Sequence, residues 1–177
     1  MDPIVAAALK KWPNVPHCYG WLALDARGDW YMRDDRIQRA GPYPKVKGSR
    51  IEHEKLRDFI ARNYACDEAG AWFFQNGPQR VYVELEAAPW VWRVADDGSV
   101  ASHTGVAAAP RQAFVDDNGR LFLDCDAGFG IVHTLDMSAA ADAVERGEWQ
   151  PQPLAFAEMP ARFGYRLRPE PSEASSG

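Results

Sequence analysis

The sequence predicts an α+β fold, with antiparallel β-hairpins and sheets packed with two or three helices, and two halves whose corners recur irregularly. Three observations predict it. An acidic-glycine corner followed by two strand-forming residues recurs as Asp25/Gly28/Trp30-Tyr31, Asp67/Gly70/Trp72-Phe73 and Asp116/Gly119/Leu121-Phe122. A looser copy places Asp97-Gly98 before Val100-Ala101. Residues 79–87 alternate, with Val81, Val83 and Leu85 on one side and Tyr82, Glu84 and Glu86 on the other, which is the period of a half-buried strand. Residues 50–64 carry Leu56, Phe59, Ile60 and Tyr64 at helical spacing.

Each corner has a mechanism. The Asp side chain starts the turn, Gly takes a positive φ, and the aromatic pair begins the returning strand. The unequal intervals between Gly28, Gly70, Gly98 and Gly119 argue against a solenoid or propeller.

In chain order, Asp2-Pro3 reads as an N-cap followed by proline at the first helical position, opening a helix that stops before Pro13. Strands are expected at 20–24 and 29–33, then a loop at 41–48 rich in Pro and Gly. Ser49-Arg50-Ile51-Glu52 has the spacing of a capping box for the following helix. Further strands are expected at 71–75, 79–87, 90–95, 99–104, 114–116, 120–124 and 129–135. The Ala-rich stretch 137–146 favours a helix, with Gly147 suited to end it. A final extended segment is expected over 154–167. The organisation that follows is an N-terminal helix and lead-in at 1–19, one α+β half at 20–105, a second at 106–168, and a disordered tail at 169–177.

Composition restricts the function. Formal net charge is −5, which argues against sequence-independent nucleic-acid binding. Lys45, Lys47, Arg50 and Lys55 read as a solvated face. No stretch approaches the roughly 20 apolar residues of a membrane span. Cys18, Cys66 and Cys125 are odd in number and widely spaced, so neither a zinc knuckle nor a redox pair is expected, and free thiols fit a reducing cytoplasm.

Four groups bear on chemistry. Leu121-Phe122-Leu123-Asp124-Cys125-Asp126 looks like the start of an aspartate-nucleophile phosphatase of the haloacid dehalogenase type, but Gly128 departs from that pattern and no repeated βα units follow. Asp124, Asp126 and Gly128 also begin a calcium-loop pattern, yet Leu135 stands at its twelfth position instead of Glu. Asp124, Asp126 and His133 form the weak metal alternative, and Cys125 with His133 the thiol one. His17, His53 and His103 make no helical pair, and His53 is placed to cap or pack. Trp90 and Trp92 fall on one face of an extended chain; buried they are core, while exposed beside Arg93 they form a platform. With seven tryptophans in the chain, most must be inside. The ligand-binding set expected on this reasoning is Trp90, Trp92, Arg93, Glu86 and His103, with no cofactor and no catalytic residue.

The order Leu24-Asp25-Ala26-Arg27-Gly28-Asp29-Trp30-Tyr31, then a helix with Leu56, Phe59 and Ile60, then Trp72-Phe73-Phe74, Arg80-Val81-Tyr82-Val83-Glu84-Leu85-Glu86 and Ala88-Pro89-Trp90 resembles a family of uncharacterised bacterial proteins. That family is a domain of unknown function assembled from repeated motifs, and the resemblance covers about residues 20–95. It implies the α+β fold and a suggested role in signal transduction, and it supplies no catalytic residues. The loop at 41–48 is longer than the family's link, and the stretch after Gly147 has no counterpart. The resulting expectation is a non-catalytic, cytoplasmic binding or regulatory domain for a small molecule or protein. An oligomerisation element, with homo-oligomers through the indole face, and a small hydrolase are the alternatives.

Overall fold

The computed structural model describes residues 1–171, and the chain is a mixed α+β protein with two sheets and few helices. Its residues group into two compact units. One comprises 1–25, 29–86 and the C-terminal stretch from 166; the other comprises 26–28 and 87–165. Of the expected tail at 169–177, residues 172–177 lie outside the described residues.

The first unit holds a six-stranded sheet. Its strands are β1 (Cys18–Leu24), β2 (Trp30–Met32), β3 (Ser49–Arg50), β4 (Tyr64–Cys66), β5 (Trp72–Asn76) and β6 (Gln79–Leu85), in the order β3-β2-β1-β6-β5-β4. The second unit holds β7 (Trp90–Val94), β8 (Val100–Ser102), β9 (Ala107–Ala108), β10 (Pro110–Val115), β11 (Leu121–Cys125), β12 (Gly128–Val132) and β13 (Gln152–Pro153). Their order is β13-β10-β11-β12-β7-β8-β9. Apart from β13, the two sheets follow one plan. Two antiparallel three-strand meanders join where the first strand of one runs parallel to the last strand of the other, β1 beside β6 and β7 beside β12. Local alternation indicates a strand but not its distant partner, so these parallel joins are absent from the sequence reading.

The corners fold as their chemistry dictates. Asp25, Asp67 and Asp116 each donate the backbone N–H to the carbonyl four residues on, while Oδ1 accepts the N–H of that same residue, at Asp29, Ala71 and Arg120. Oδ2 then ties the corner to a neighbour: the Tyr31 hydroxyl, the Tyr82 hydroxyl and Arg120 Nε respectively. At the looser copy Ala95 N–H reaches Ser99 O, and Asp97 Oδ1 accepts Ser99 N–H. A further corner was not anticipated. Ser102 Oγ accepts Thr104 and Val106 N–H, and Gly105 sits at φ 88°.

The helices differ from the sequence reading in three places. The helix expected at 50–64 is α3, Glu54–Arg62, and Ser49-Arg50 is instead an edge strand paired with Met32 and Tyr31. The cap is His53, whose Nδ1 accepts Leu56 N–H at 3.3 Å, so the Ser49/Glu52 capping box does not form. Tyr64 leaves the helix for β4. A short helix, α2 (Asp35–Ala40), fills a stretch the sequence reading left unassigned; Asp34 Oδ1 caps it by accepting Ile37 N–H. The expected extended segment at 154–167 instead contains a 3-10 turn at Phe156–Glu158 and the one-and-a-half-turn α5 (Met159–Phe163), with Pro160 in the first turn. The helix α1 (Pro3–Lys11) forms as expected, although Asp2 makes no side-chain cap. Its carboxylate meets Arg62 Nε and its N–H meets Asn63 Oδ1. The Ala-rich helix is α4 (Met137–Glu145), buried through Ala139, Ala140 and Ala143.

In the first unit, α3 covers one sheet face, with Phe59 edge-on to Phe74 at 5.6 Å and Ile60 buried. The opposite face carries Ala65, Phe73 and Tyr82 on β4, β5 and β6, paired in register across the sheet. This second face positions the site. In the second unit Trp92, Phe114, Phe122, Leu123 and Met159 are fully buried, and Phe129 stacks on both Phe122 and Phe163.

Candidate functional site

A cleft of about 680 Å³ opens on the first unit's sheet face opposite α3. Its floor includes Tyr19, Ala71 and Tyr82; Ala71 and Tyr82 are nearly inaccessible and form one apolar cluster with Phe73, with Tyr19 and Ala65 packed against it. Tyr19 arrives there because β1 is irregular. Four steps along β1, Cys18 to Leu22, match two along β6, Val81 to Val83, and Gly20 inside that bulge has φ 82°. A Cβ at Gly20 would meet Gln38 Oε1 at 2.6 Å, the movable end of that side chain, so it is the conformation that favours glycine there. The Tyr19 ring lies flat on Tyr82, with centroids 4.7 Å apart and planes 6° apart, and His17 stands edge-on to Tyr82 at 5.7 Å.

The rim is polar. Arg80 lies two residues before Tyr82 on the same strand face. Its guanidinium stacks over Phe73 at 4.3 Å and donates to the Tyr82 hydroxyl at 3.4 Å. The corner Cys66–Ala69 forms one wall, and the segment from Arg166 to Pro171 forms another. That segment is held by backbone bonds from Arg166 N–H to Gly70 O and from Leu85 N–H to Leu167 O, and by Arg166 Nε on Ala69 O.

The titratable groups of the cleft that shift move toward their neutral forms. Burial, aided by Asp67, pushes the Cys66 thiol up, so it carries less thiolate than an ordinary cysteine at neutral pH. Burial and the nearby Arg80 lower the His17 imidazole, against Asp67, which keeps it neutral at pH 7. Burial likewise raises the phenols of Tyr19 and Tyr82.

The structure distributes the residues singled out by sequence as follows. Trp90 and Trp92 lie on one side of β7, rings 5.9 Å apart and near parallel. Trp92 is completely buried and its Nε1 donates to Leu123 O at 3.0 Å, while Trp90 is 9% exposed, so the pair is core rather than an open platform. Arg93 sits on β7 opposite Ala101 of β8, and His103 lies in the turn just after β8; the two do not converge. Arg93 turns to Asp136, 2.6 Å from Nε, whereas His103 Nδ1 accepts Val91 N–H. Glu86 belongs to the first unit and meets Lys47 at 3.4 Å.

The Asp124–Asp126 string ends a strand flanked by antiparallel partners, unlike the parallel sheet of the phosphatases it resembles. Asp126 Oδ1 caps Ala109 N–H. His133 Nδ1 accepts Leu135 N–H at the start of a 3-10 turn. Cys125 is buried, and burial first, then Asp124 and Asp126, push its thiol to about 12. Among the described residues no group of three or more His, Cys, Asp and Glu side chains is arranged to hold a metal ion. No helix among them is long and apolar enough to cross a membrane.

The cleft residues His17, Tyr19, Asp67, Arg80 and Arg166 were missed by sequence reasoning because four separate segments bring them together. One signal was readable: Arg80 and Tyr82 share a strand face with a polar outlook.

No curated protein matches the sequence. Two solved structures are similar. One is a DUF1285 family protein from Silicibacter pomeroyi DSS-3, 15% identical, with TM-score 0.50, over 80% of this chain and 84% of that chain. The other is a DUF1285 family protein from Shewanella baltica OS155, 17% identical, with TM-score 0.46, over 69% of this chain and 91% of that one. The first likeness speaks to the fold alone. A family model named DUF2944 and described as "Protein of unknown function (DUF2946)" matches residues 1–170, so the chain belongs to that family.

Proposed function

We propose that the chain is a cytoplasmic, non-catalytic binding domain with a regulatory or signalling role, and that its ligand sits in the cleft over Tyr19 and Tyr82. One observation carries this reading. A flat aromatic floor is held rigid by a stacked tyrosine pair and rimmed by two arginines, in a cleft whose volume suits a small molecule. The neighbouring thiol is shifted away from reactivity, which favours recognition over nucleophilic attack.

A thermal-shift screen of the full chain with ring-bearing ions tests it. A ligand at 100 times its Kd adds about 2.7 kcal/mol. The shift should disappear in Tyr19→Ala and shrink in Arg166→Gln. Ligands that stabilise both variants as well as the wild type bind elsewhere and defeat the proposal.

A second reading, self-association, is favoured by a separate feature of the same unit. Trp21 and Met32 are 38% and 49% exposed at the mouth of an apolar groove of about 260 Å³. Light scattering tests it: a dimer that reverts to monomer in Trp21→Ser supports this reading, and a monomer in the wild type rejects it.

A further inference from the structure

Resting on the ligand-binding reading of the cleft, the inference concerns the charge pattern of what it holds. The rim offers both signs, and they do not neutralise one another. Arg166 spends Nε on Ala69 O, and its two terminal nitrogens have no hydrogen-bond partner among the described residues. Arg80, half-buried, keeps its guanidinium over the Phe73 ring, with one terminal nitrogen donating to the Tyr82 hydroxyl. Glu68 and Glu170 are exposed, line the same cleft, and form no ion pair among the described residues. Asp67 is different: Oδ1 accepts Ala69 and Ala71 N–H, and Oδ2 accepts the Tyr82 hydroxyl, so its oxygens are engaged by the corner while its negative charge adds to that of the glutamates.

A pure anion entering this rim meets two glutamates, and a pure cation meets two arginines. A molecule with a carboxylate at one end and an ammonium at the other is attracted at both. The ring requirement comes from the floor. One face of Tyr19 is covered by Tyr82, and no second ring lies against the other face among the described residues. We propose that the cleft takes a zwitterionic metabolite bearing a planar ring, of which an aromatic α-amino acid is the simplest example. Arg80 and Arg166 hold its carboxylate, Glu68 and Glu170 its ammonium, and Tyr19 and His17 its ring.

Titration calorimetry of the full chain with L-phenylalanine, phenethylamine and 3-phenylpropanoate tests the proposal, because the three share a ring and differ in charge. L-Phenylalanine should bind most tightly, with each singly charged analogue weaker by about tenfold or more, the effect of losing one charge-assisted contact. The exposed double variant Glu68→Gln/Glu170→Gln should abolish the preference over 3-phenylpropanoate, and Arg166→Gln should reduce the preference over phenethylamine, Arg80 remaining. If a singly charged analogue matches L-phenylalanine in the wild type, the zwitterion assignment is overturned, while binding lost in Tyr19→Ala still upholds the cleft. Absence of heat with all three also overturns the zwitterion assignment. The cleft itself falls only if the thermal-shift ligands ignore Tyr19→Ala as well.

Discussion

Asp67 Oδ2 accepts the Tyr82 hydroxyl at 2.9 Å, while the other oxygen of the same carboxylate closes the β4–β5 corner on Ala69 and Ala71. One side chain therefore fixes both a turn and the ring that floors the cleft. Tyr82→Phe should cost about 1.5 kcal/mol, the lower end for a hydrogen bond to a charged group, because the bond is only part-buried. Asp67→Ala should cost more because the corner amides lose their acceptor too. A double-mutant cycle by urea denaturation should return a coupling of about 1 kcal/mol or more. Additive effects would mean that the bond does not tie the corner to the floor.

Trp92 is fully buried and hydrogen-bonded in the second unit. Trp92→Ala should destabilise the chain by about 3–5 kcal/mol through the cavity it leaves and the Leu123 carbonyl it strands. Gly130→Ala should damage the same region. Its new methyl would lie 2.5 Å from Trp92 Nε1 and 2.6 Å from the Trp90 carbonyl oxygen, and the backbone atom cannot swing aside. Thermal melts measure both losses. Affinity for a cleft ligand, measured below the melting range, should not change in Gly130→Ala.

The Ser102 corner does with a hydroxyl what Asp67 does with a carboxylate. Ser102→Ala removes the acceptor of Thr104 and Val106 N–H and should cost about 1–2 kcal/mol. Ser102→Thr, which keeps the oxygen, should restore most of it. A melt showing Ala and Thr equally harmful would assign the loss to sterics instead.

Cys125 predicts an alkaline weakness. Its folded value, about 12, stands above the ordinary 9, so the unfolded chain releases this proton first as pH rises. Stability from the neutral thiol is whole below about 9 and is lost as pH climbs through about 12. Cys125→Ala should flatten that decline in denaturation curves collected from pH 8 to 11. Thiol labelling at pH 8 gives an independent check: Cys66, exposed but with its thiol pushed up, reacts slowly in the folded protein, and Cys125 reacts only after unfolding.

What could be read from sequence was local. Asp25, Asp67 and Asp116 announce their corners because carboxylate, glycine and returning strand lie within a few residues, and the chemistry closes within them. Ser102 performs the same role unnoticed because the pattern was keyed to aspartate. Ser49 satisfies the spacing of a capping box but is drawn into pairing with Met32, a partner the spacing does not reveal. The indole pair was placed on one face of its strand, as observed, but solvent exposure depends on what covers that face. The indoles lie against Gly128 and Gly130 of β12, and Trp92 Nε1 reaches Leu123 O on β11, all distant in sequence. The cleft was the least legible feature. It depends on the parallel β1–β6 join and on the return of Arg166 to the first unit, both of which are long-range events.

The most direct test of the central claim is amide chemical-shift mapping of the full chain titrated with L-phenylalanine, phenethylamine and 3-phenylpropanoate. The account predicts that perturbed residues gather at 17–19, 66–71, 80–82 and 166–170. Shifts gathered instead at 90–103, around the indoles, or no saturable shift with any of the three probes, would contradict it.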